Sequence, residues 1–256
     1  MNNKNIEYKK EDNFKFLPMA TVVGIKLNEG IVIGSDSQLT EGESKELGYK
    51  KIHMIGNVLF SGAGDTDYIL KVKQELEKNY SGKLFQNQNE VTSLFETTIK
   101  SINRNYGFKK DMYSEFIFGI NINVNNKVVF YLYRIDNYHK FALEIPNYYT
   151  IGSGGVFAKY ILKRMWKDTL NIVDGLKLTI YIISEVKTID QYTSSPINIA
   201  SLSNKGYTFY PDELIRRAES FLSTNDEKTK KFFRELILNP DMIEVSERNI
   251  EFKKLE

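Results

Sequence analysis

The order of periodic segments predicts an α+β fold of four layers, in which two antiparallel sheets stack face to face and helices cover their outer sides. Two observations carry that expectation. Strand-type runs rich in β-branched residues fall into groups spaced as hairpins, and amphipathic segments of helical period follow them in consecutive pairs. Strands and helices therefore occur in separate blocks, and each sheet must bury both of its faces.

The first block opens at Ala20. The run Ala20 to Leu27, a turn at Asn28-Glu29-Gly30, and the run Ile31 to Asp36 read as a hairpin that ends on a carboxylate. A polar loop follows, then a second hairpin from Lys50 to Ile55 and Val58 to Asp65, whose end is rich in glycine. Apolar residues at Ile69, Leu70, Val72 and Leu76 predict a helix from Thr66 to about Tyr80. Those at Val91, Leu94, Phe95, Ile99 and Ile102 predict another from Glu90 to Tyr106. Strand patterns return at Glu115 to Val124 and Lys127 to Arg134, joined by a tight turn at Asn125-Asn126, and continue at Phe141 to Ile145 and Tyr148 to Ile151. Gly152-Ser153-Gly154-Gly155 opens a helix over Val156 to Trp166, and Leu176 to Thr188 gives the next. Strands near Ile197 to Ser203 and Tyr207 to Phe209 close the pattern. Beyond Pro211, two charged amphipathic helices are predicted at Asp212 to Leu222 and Glu227 to Leu238.

Composition narrows the chemistry. The 256 residues suffice for one large domain with appendages. A net charge of +2 from 35 basic and 33 acidic residues offers no basic field for nucleic acid. Cysteine is absent, which excludes disulfides, thiolate metal sites and a cysteine nucleophile. The two histidines, His53 in an alternating strand and His139 in a polar turn, have no companion ligands near them in sequence, so neither a metal nor another cofactor is expected. No run reaches the roughly 18 apolar residues of a membrane span, and residues 1–18 are polar and unlike a secretory signal, so a cytoplasmic protein is expected.

Several pieces, taken in order, carry a family resemblance: ATVVGIKLNEGIVIGSDSQLT, KKIHMI, SGAGDTD, IGSGG and DQYTSSPINIASLSNKG. Each alone is common, but their succession over residues 20 to 209 resembles the proteasome β subunits and the related bacterial two-component ATP-dependent protease, members of the N-terminal-nucleophile (Ntn) hydrolases. The resemblance implies a threonine-type endopeptidase. In that chemistry the hydroxyl of an N-terminal threonine attacks a peptide carbonyl while its own α-amine takes the proton. It also divides the chain into a pro-segment or arm at residues 1–19, the hydrolase domain at 20–209 and a helical extension at 210–256.

The same resemblance places Ala20 at the nucleophile position, where no hydroxyl is available. Thr21 is the fallback nucleophile, but a shift of one residue in a strand turns a side chain to the opposite face. Asp36 matches the acidic residue near the nucleophile and Lys51 the lysine whose positive charge would lower the pKa of adjacent groups, the two forming a buried ion pair. Ser153, Asp190 and Thr193 match the hydrogen-bond network around the α-amine, with threonine in place of the usual serine at 193. Gly62 matches the glycine whose N–H would stabilise the oxyanion. Leu39, Tyr49 and Phe60 would line the pocket for the side chain before the cleaved bond, favouring apolar or aromatic residues.

Read residue by residue, Ser153 also suits a helix N-cap, Asp190 a surface carboxylate at a helix end, and Lys51 a solvated charge beside Lys50. The implied partners are peptide or unfolded-protein substrates, copies or paralogues in a ring, and an ATP-dependent unfoldase. Two histories fit Ala20: an engineered or recent replacement of threonine, or a naturally non-catalytic ring subunit that shapes a chamber or binds peptide. Met19 favours the second, because active relatives commonly carry glycine before the threonine. An α-type gate subunit would require a longer N-terminal helix than the sequence offers.

Overall fold

A computed structural model of the protein describes residues 19–41, 44–80, 85–107, 113–125, 127–238, 243–245 and 250–252. The expected segment at residues 1–18 and the turn position 126 lie outside the described residues. In chain order the elements are β1 (Val22–Leu27), β2 (Gly30–Ser35), β3 (Leu39–Glu41), β4 (Ser44–Glu46), β5 (Ile52–Ile55), β6 (Val58–Gly64), α1 (Thr66–Asn79) and α2 (Gln88–Tyr106). There follow β7 (Ser114–Val124), β8 (Lys127–Asp136), β9 (Leu143–Ile145), β10 (Tyr148–Ile151), α3 (Gly155–Met165) and α4 (Ile172–Val186). The chain continues through β11 (Asn198–Ser203), β12 (Gly206–Phe209), α5 (Asp212–Leu238), β13 (Ile243–Val245) and β14 (Ile250–Phe252).

Two five-stranded antiparallel sheets result, one ordered β10-β1-β2-β11-β12 and the other β5-β6-β7-β8-β9. Alternation along the strands assigns each face. In β7, Phe116, Phe118 and Ile120 join Phe60, Phe95 and Ile99 in a core beneath α1 and α2. Ile117, between them, turns the other way into a core shared with Val22, Ile31 and Ile33 of the opposite sheet. The far side of that sheet buries Val23, Ile25 and Val32 against Ile180 and Ile183 of α4 and Leu162 of α3. Three successive cores thus separate four layers, as the α+β αββα reading requires.

Several boundaries differ from the sequence reading, each for a local reason. β1 begins at Val22, so Ala20 and Thr21 precede the strand. α4 begins at Ile172, four residues before the expected Leu176, because Asn171 and Asp174 close a reciprocal capping box that apolar periodicity alone does not reveal. The predicted break after Leu222 is absent, and α5 runs unbroken to Leu238. Thr224 there donates its hydroxyl to the Ser220 carbonyl at 2.9 Å, which satisfies it inside the helix. The polar loop after Ser37 holds a small hairpin, β3 with β4, whose side chains lack the alternation that marks a strand.

Candidate active site

The site lies where the β1–β2 hairpin, the end of β6 and the turn after β10 meet. Position 20 is held by backbone and side-chain bonds from that turn. The Ala20 N–H points to Ser153 Oγ at 3.4 Å, and the Gly154 N–H donates to the Ala20 carbonyl at 3.2 Å. Gly152 makes this approach possible: it has φ of +90°, and a Cβ there would stand 2.2 Å from the Ala20 oxygen. Ala20 is buried, with φ of 155°, a backbone angle L-residues seldom adopt.

Asp36 follows directly on β2 and carries the ladder one step further. Its carboxylate accepts the Thr21 N–H at 2.9 Å and the Gln38 N–H at 2.8 Å, while its own N–H donates to the Thr21 carbonyl at 3.1 Å. The Lys51 ammonium donates to both carboxylate oxygens, at 2.9 and 3.0 Å. Both residues are buried, so Lys51 is not a solvated partner of Lys50. Burial holds the Lys51 ammonium below its ordinary pKa, with the charge of Asp36 opposing. Burial likewise raises the Asp36 carboxyl, and Lys51 together with the two N–H donors draws it back.

A second chain of polar groups lies on the other side of residue 20. Ser153 donates to Asp190 Oδ2 at 2.8 Å and Thr193 donates to the same oxygen at 2.5 Å. Thr21 Oγ1 lies 2.6 Å from Thr193 Oγ1, and since the Thr193 proton is committed to Asp190, Thr21 is the donor. The Thr21 hydroxyl is therefore fully buried and turned into this network rather than toward solvent. Ser153 is not a helix cap, because Gly154 occupies the N-cap of α3 with no side-chain bond, and Asp190 is buried rather than on the surface. Gly154 has no room for more: a Cβ would sit 1.9 Å from Thr21 Oγ1 and 2.5 Å from Val186. Gly154→Ala is expected to cost about 1–3 kcal/mol by overpacking, read as a lowered denaturant midpoint at unchanged slope.

A cleft of about 190 Å³ opens in front of Ala20, lined by Met19, Leu39, Tyr49, Lys51 and Gly62 among others. Leu39 and Tyr49 thus reach the cleft, and Phe60 does not. Phe60 lies on the helix-facing side of β6, fully buried, with its ring 5.3 Å from that of Phe118 and 5.2 Å from that of His53. Its expected place in the pocket is corrected accordingly. Phe60→Ala should destabilise the fold by about 3–5 kcal/mol, measured by urea unfolding, and leave cleft selectivity unchanged. Gly62 sits at the rim, where a Cβ would come within 2.9 Å of the Phe116 ring.

Gln38, Ile69 and Tyr113 are among the cleft-lining residues that the sequence reading missed. Ile69 was visible only as a helix core position, and Tyr113 lies just before a strand. Gln38 could have been suspected from its place two residues after Asp36, the spacing of a side-chain-to-backbone turn. His53 is half-buried with its pKa lowered by burial to about 4, and His139 lies in an exposed turn against Asp136. Among the described residues, no cluster of His, Cys, Asp and Glu is arranged to hold a metal ion, and no helix is long and apolar enough to cross a membrane.

Comparison with known proteins places the chain in a family. The model of the proteasome subunit family matches residues 19–202. The chain belongs to that family. A proteasome subunit beta from Methanococcus vannielii is 26% identical over 219 residues, 82% of this chain and 93% of that one. One from Nanoarchaeum equitans is 26% identical over 73% of this chain and 95% of its own length. Among solved structures, Anbu, described as an ancestral beta-subunit, from Yersinia bercovieri superposes with a TM-score of 0.69 at 15% identity, covering 84% of this chain and 97% of that one. A Gly-1 mutant of Anbu from Hyphomicrobium sp. strain MC1 gives 0.68 at 16% identity, over 83% and 96%. The proteasome-like Ntn fold is common to all of them.

Proposed function

We propose that this proteasome-family subunit has the site of a threonine-type endopeptidase with its nucleophile position vacated, and that it is inactive as it stands. One observation carries the reading: Ala20 sits at the cleft between the buried Asp36–Lys51 pair and the Ser153–Asp190–Thr193 network, and what this position lacks for the chemistry is a hydroxyl and a free α-amine. With threonine at 20 and the chain opened before it, the new α-amine would lie beside Ser153 and accept the hydroxyl proton as the oxygen attacks a peptide carbonyl. Lys51 would supply positive charge to favour the deprotonated species, and Asp36 would hold Lys51. The Gly62 N–H would receive the oxyanion. Leu39 and Tyr49 would favour an apolar or aromatic side chain before the scissile bond. The unusual φ of Ala20 also supports cleavage here, because an N-terminal residue has no preceding peptide to constrain.

Residues 1–19 would then be the pro-segment, residues 20–209 the hydrolase domain, and residues 210–256 an extension gripping a neighbouring subunit. The assembly would be a cytoplasmic ring of copies or paralogues, fed with unfolded protein by an ATP-dependent unfoldase. Placing threonine at position 20 and following the mass of the chain tests the reading. Release of residues 1–19 together with peptide hydrolysis supports it, and a full-length inert chain refutes it. A naturally non-catalytic, peptide-binding ring subunit is the second reading. Met19, which lines the cleft, favours it, since the family resemblance implies that glycine commonly precedes the nucleophile in active subunits.

A further inference from the structure

The helix α5 begins after residue 202, where the family match ends, yet one of its side chains reaches the loop that carries Asp190 and Thr193. α5 docks through Ile215, Ala218 and Leu222, which pack on the core under α4. These positions form a single stripe at helical spacing, and Glu219 falls within it. A carboxylate on an apolar face is stable only where donors satisfy it.

Its donors stand at the two ends of that loop. Glu219 Oε1 accepts the ammonium of Lys187, the C-cap residue of α4, and the Ser195 hydroxyl at 3.1 Å, with the Ser184 hydroxyl at 3.5 Å. Lys187 also donates to Ser195 Oγ, at 2.9 Å. The Glu219 side chain is only 11% exposed, which sets this pair apart from the surface ion pairs that contribute little. One oxygen of α5 thus closes the loop from Lys187 to Ser195. Inside it the Asp190 N–H donates to the Val186 carbonyl at 2.8 Å and the Thr193 N–H to the Asp190 carbonyl at 3.1 Å. So closed, the loop presents Asp190 Oδ2 to Ser153 at 2.8 Å. Its cleft side is held separately, because the Gln191 carbonyl accepts the Gln38 side-chain amide and the Lys45 ammonium, each at 3.2 Å.

We propose that Glu219 is a positioning residue: by closing the loop from Lys187 to Ser195 it fixes Asp190, and through Asp190 it fixes Ser153 beside residue 20. The C-terminal helix is thereby built into the scaffold of the site. This deepens the endopeptidase reading, and its kinetic consequence rests on that reading. Glu219→Leu is the direct test, because it completes the apolar stripe and keeps α5 docked while it removes the acceptor.

Two readouts separate this inference from the reading it rests on. In the chain with Ala20 in place, which needs no catalysis, Glu219→Leu should speed hydrogen exchange of the segment from Lys187 to Ser195 about tenfold and leave the sheet strands unchanged. Unchanged exchange in the loop, or a rise spread evenly over the chain, overturns the inference. If Glu219→Leu does not fold, Ser195→Ala decides by the same measurement, since it frees one end of the loop and leaves α5 intact. Arg217, paired with Glu213 on the exposed side of α5, supplies the control. Arg217→Ala should not alter exchange in the loop, and an equal rise there would assign the effect to the helix at large and overturn the inference. In the chain carrying Ala20→Thr, Glu219→Leu should lower kcat about tenfold with KM within about twofold, because Gln38 keeps its bond to the cleft side of the loop. A kcat unaffected by Glu219→Leu overturns the inference. Should Ala20→Thr confer no hydrolysis, the endopeptidase reading fails and the exchange measurement still decides on Glu219.

Discussion

Replacing Ala20 by threonine is expected to turn an inert chain into a peptidase, with hydrolysis of an unstructured peptide rising on the order of 10³-fold or more. The magnitude follows from what is missing. A nucleophile removed from an otherwise complete site costs nearly all of the covalent route, and restoring it recovers that route if the supporting groups are preorganised. Here they are preorganised: Lys51 is locked by two bonds to Asp36, and Ser153 is locked by Asp190. Thr21 provides the control. Its hydroxyl donates into the Thr193–Asp190 chain and lies within the protein, so the Ala20 chain should show no hydrolysis that Thr21→Val abolishes. A slow activity lost on that replacement would move the nucleophile to position 21. On the proposed reading the second signature is the mass of the chain, because release of residues 1–19 would require the same hydroxyl to attack the bond before it.

The layered fold was legible because it depends on periodicity. Ile117 and Phe118 differ by one position and enter different cores, and that alternation is written in the sequence. The family was legible by resemblance, as the order of the motifs along the chain pointed to the family whose model matches residues 19–202. Less was legible where partners come from distant segments. Phe60 looked like a pocket residue, and only the facing of β6 against α1 and α2 shows that it belongs to the helix-side core. The stretch after Leu222 failed in the opposite sense: two helices were expected where one runs, and the Thr224 hydroxyl is satisfied within it by the Ser220 carbonyl.

Lys51→Met is expected to destabilise the protein by about 3–5 kcal/mol at neutral pH, because it leaves the Asp36 carboxylate buried without its counter-charge. The two N–H donors to Asp36 remain, but hydrogen bonds do not neutralise a full charge in that position. The pH dependence distinguishes this cause from lost packing. Burial raises the Asp36 carboxyl in the folded chain, and removing Lys51 takes away the largest opposing influence, so its pKa rises further. Between the unfolded and folded values the native state binds more protons than the unfolded one, and stability therefore falls as pH rises through that window. The deficit of Lys51→Met should consequently shrink as pH is lowered toward the carboxylate range and the folded carboxyl takes up its proton. Burial lowers Lys51, which has the opposite effect in the unaltered chain: the unfolded state binds more protons near the ordinary lysine pKa, and stability rises with pH there. That alkaline rise should be missing from Lys51→Met. Urea unfolding across pH measures both arms, and adding Asp36→Asn to Lys51→Met should recover part of the loss at neutral pH, since the unpaired charge is then gone. A deficit that stays constant from acid to neutral pH would mean that Lys51 supports the fold through its aliphatic stem rather than its charge.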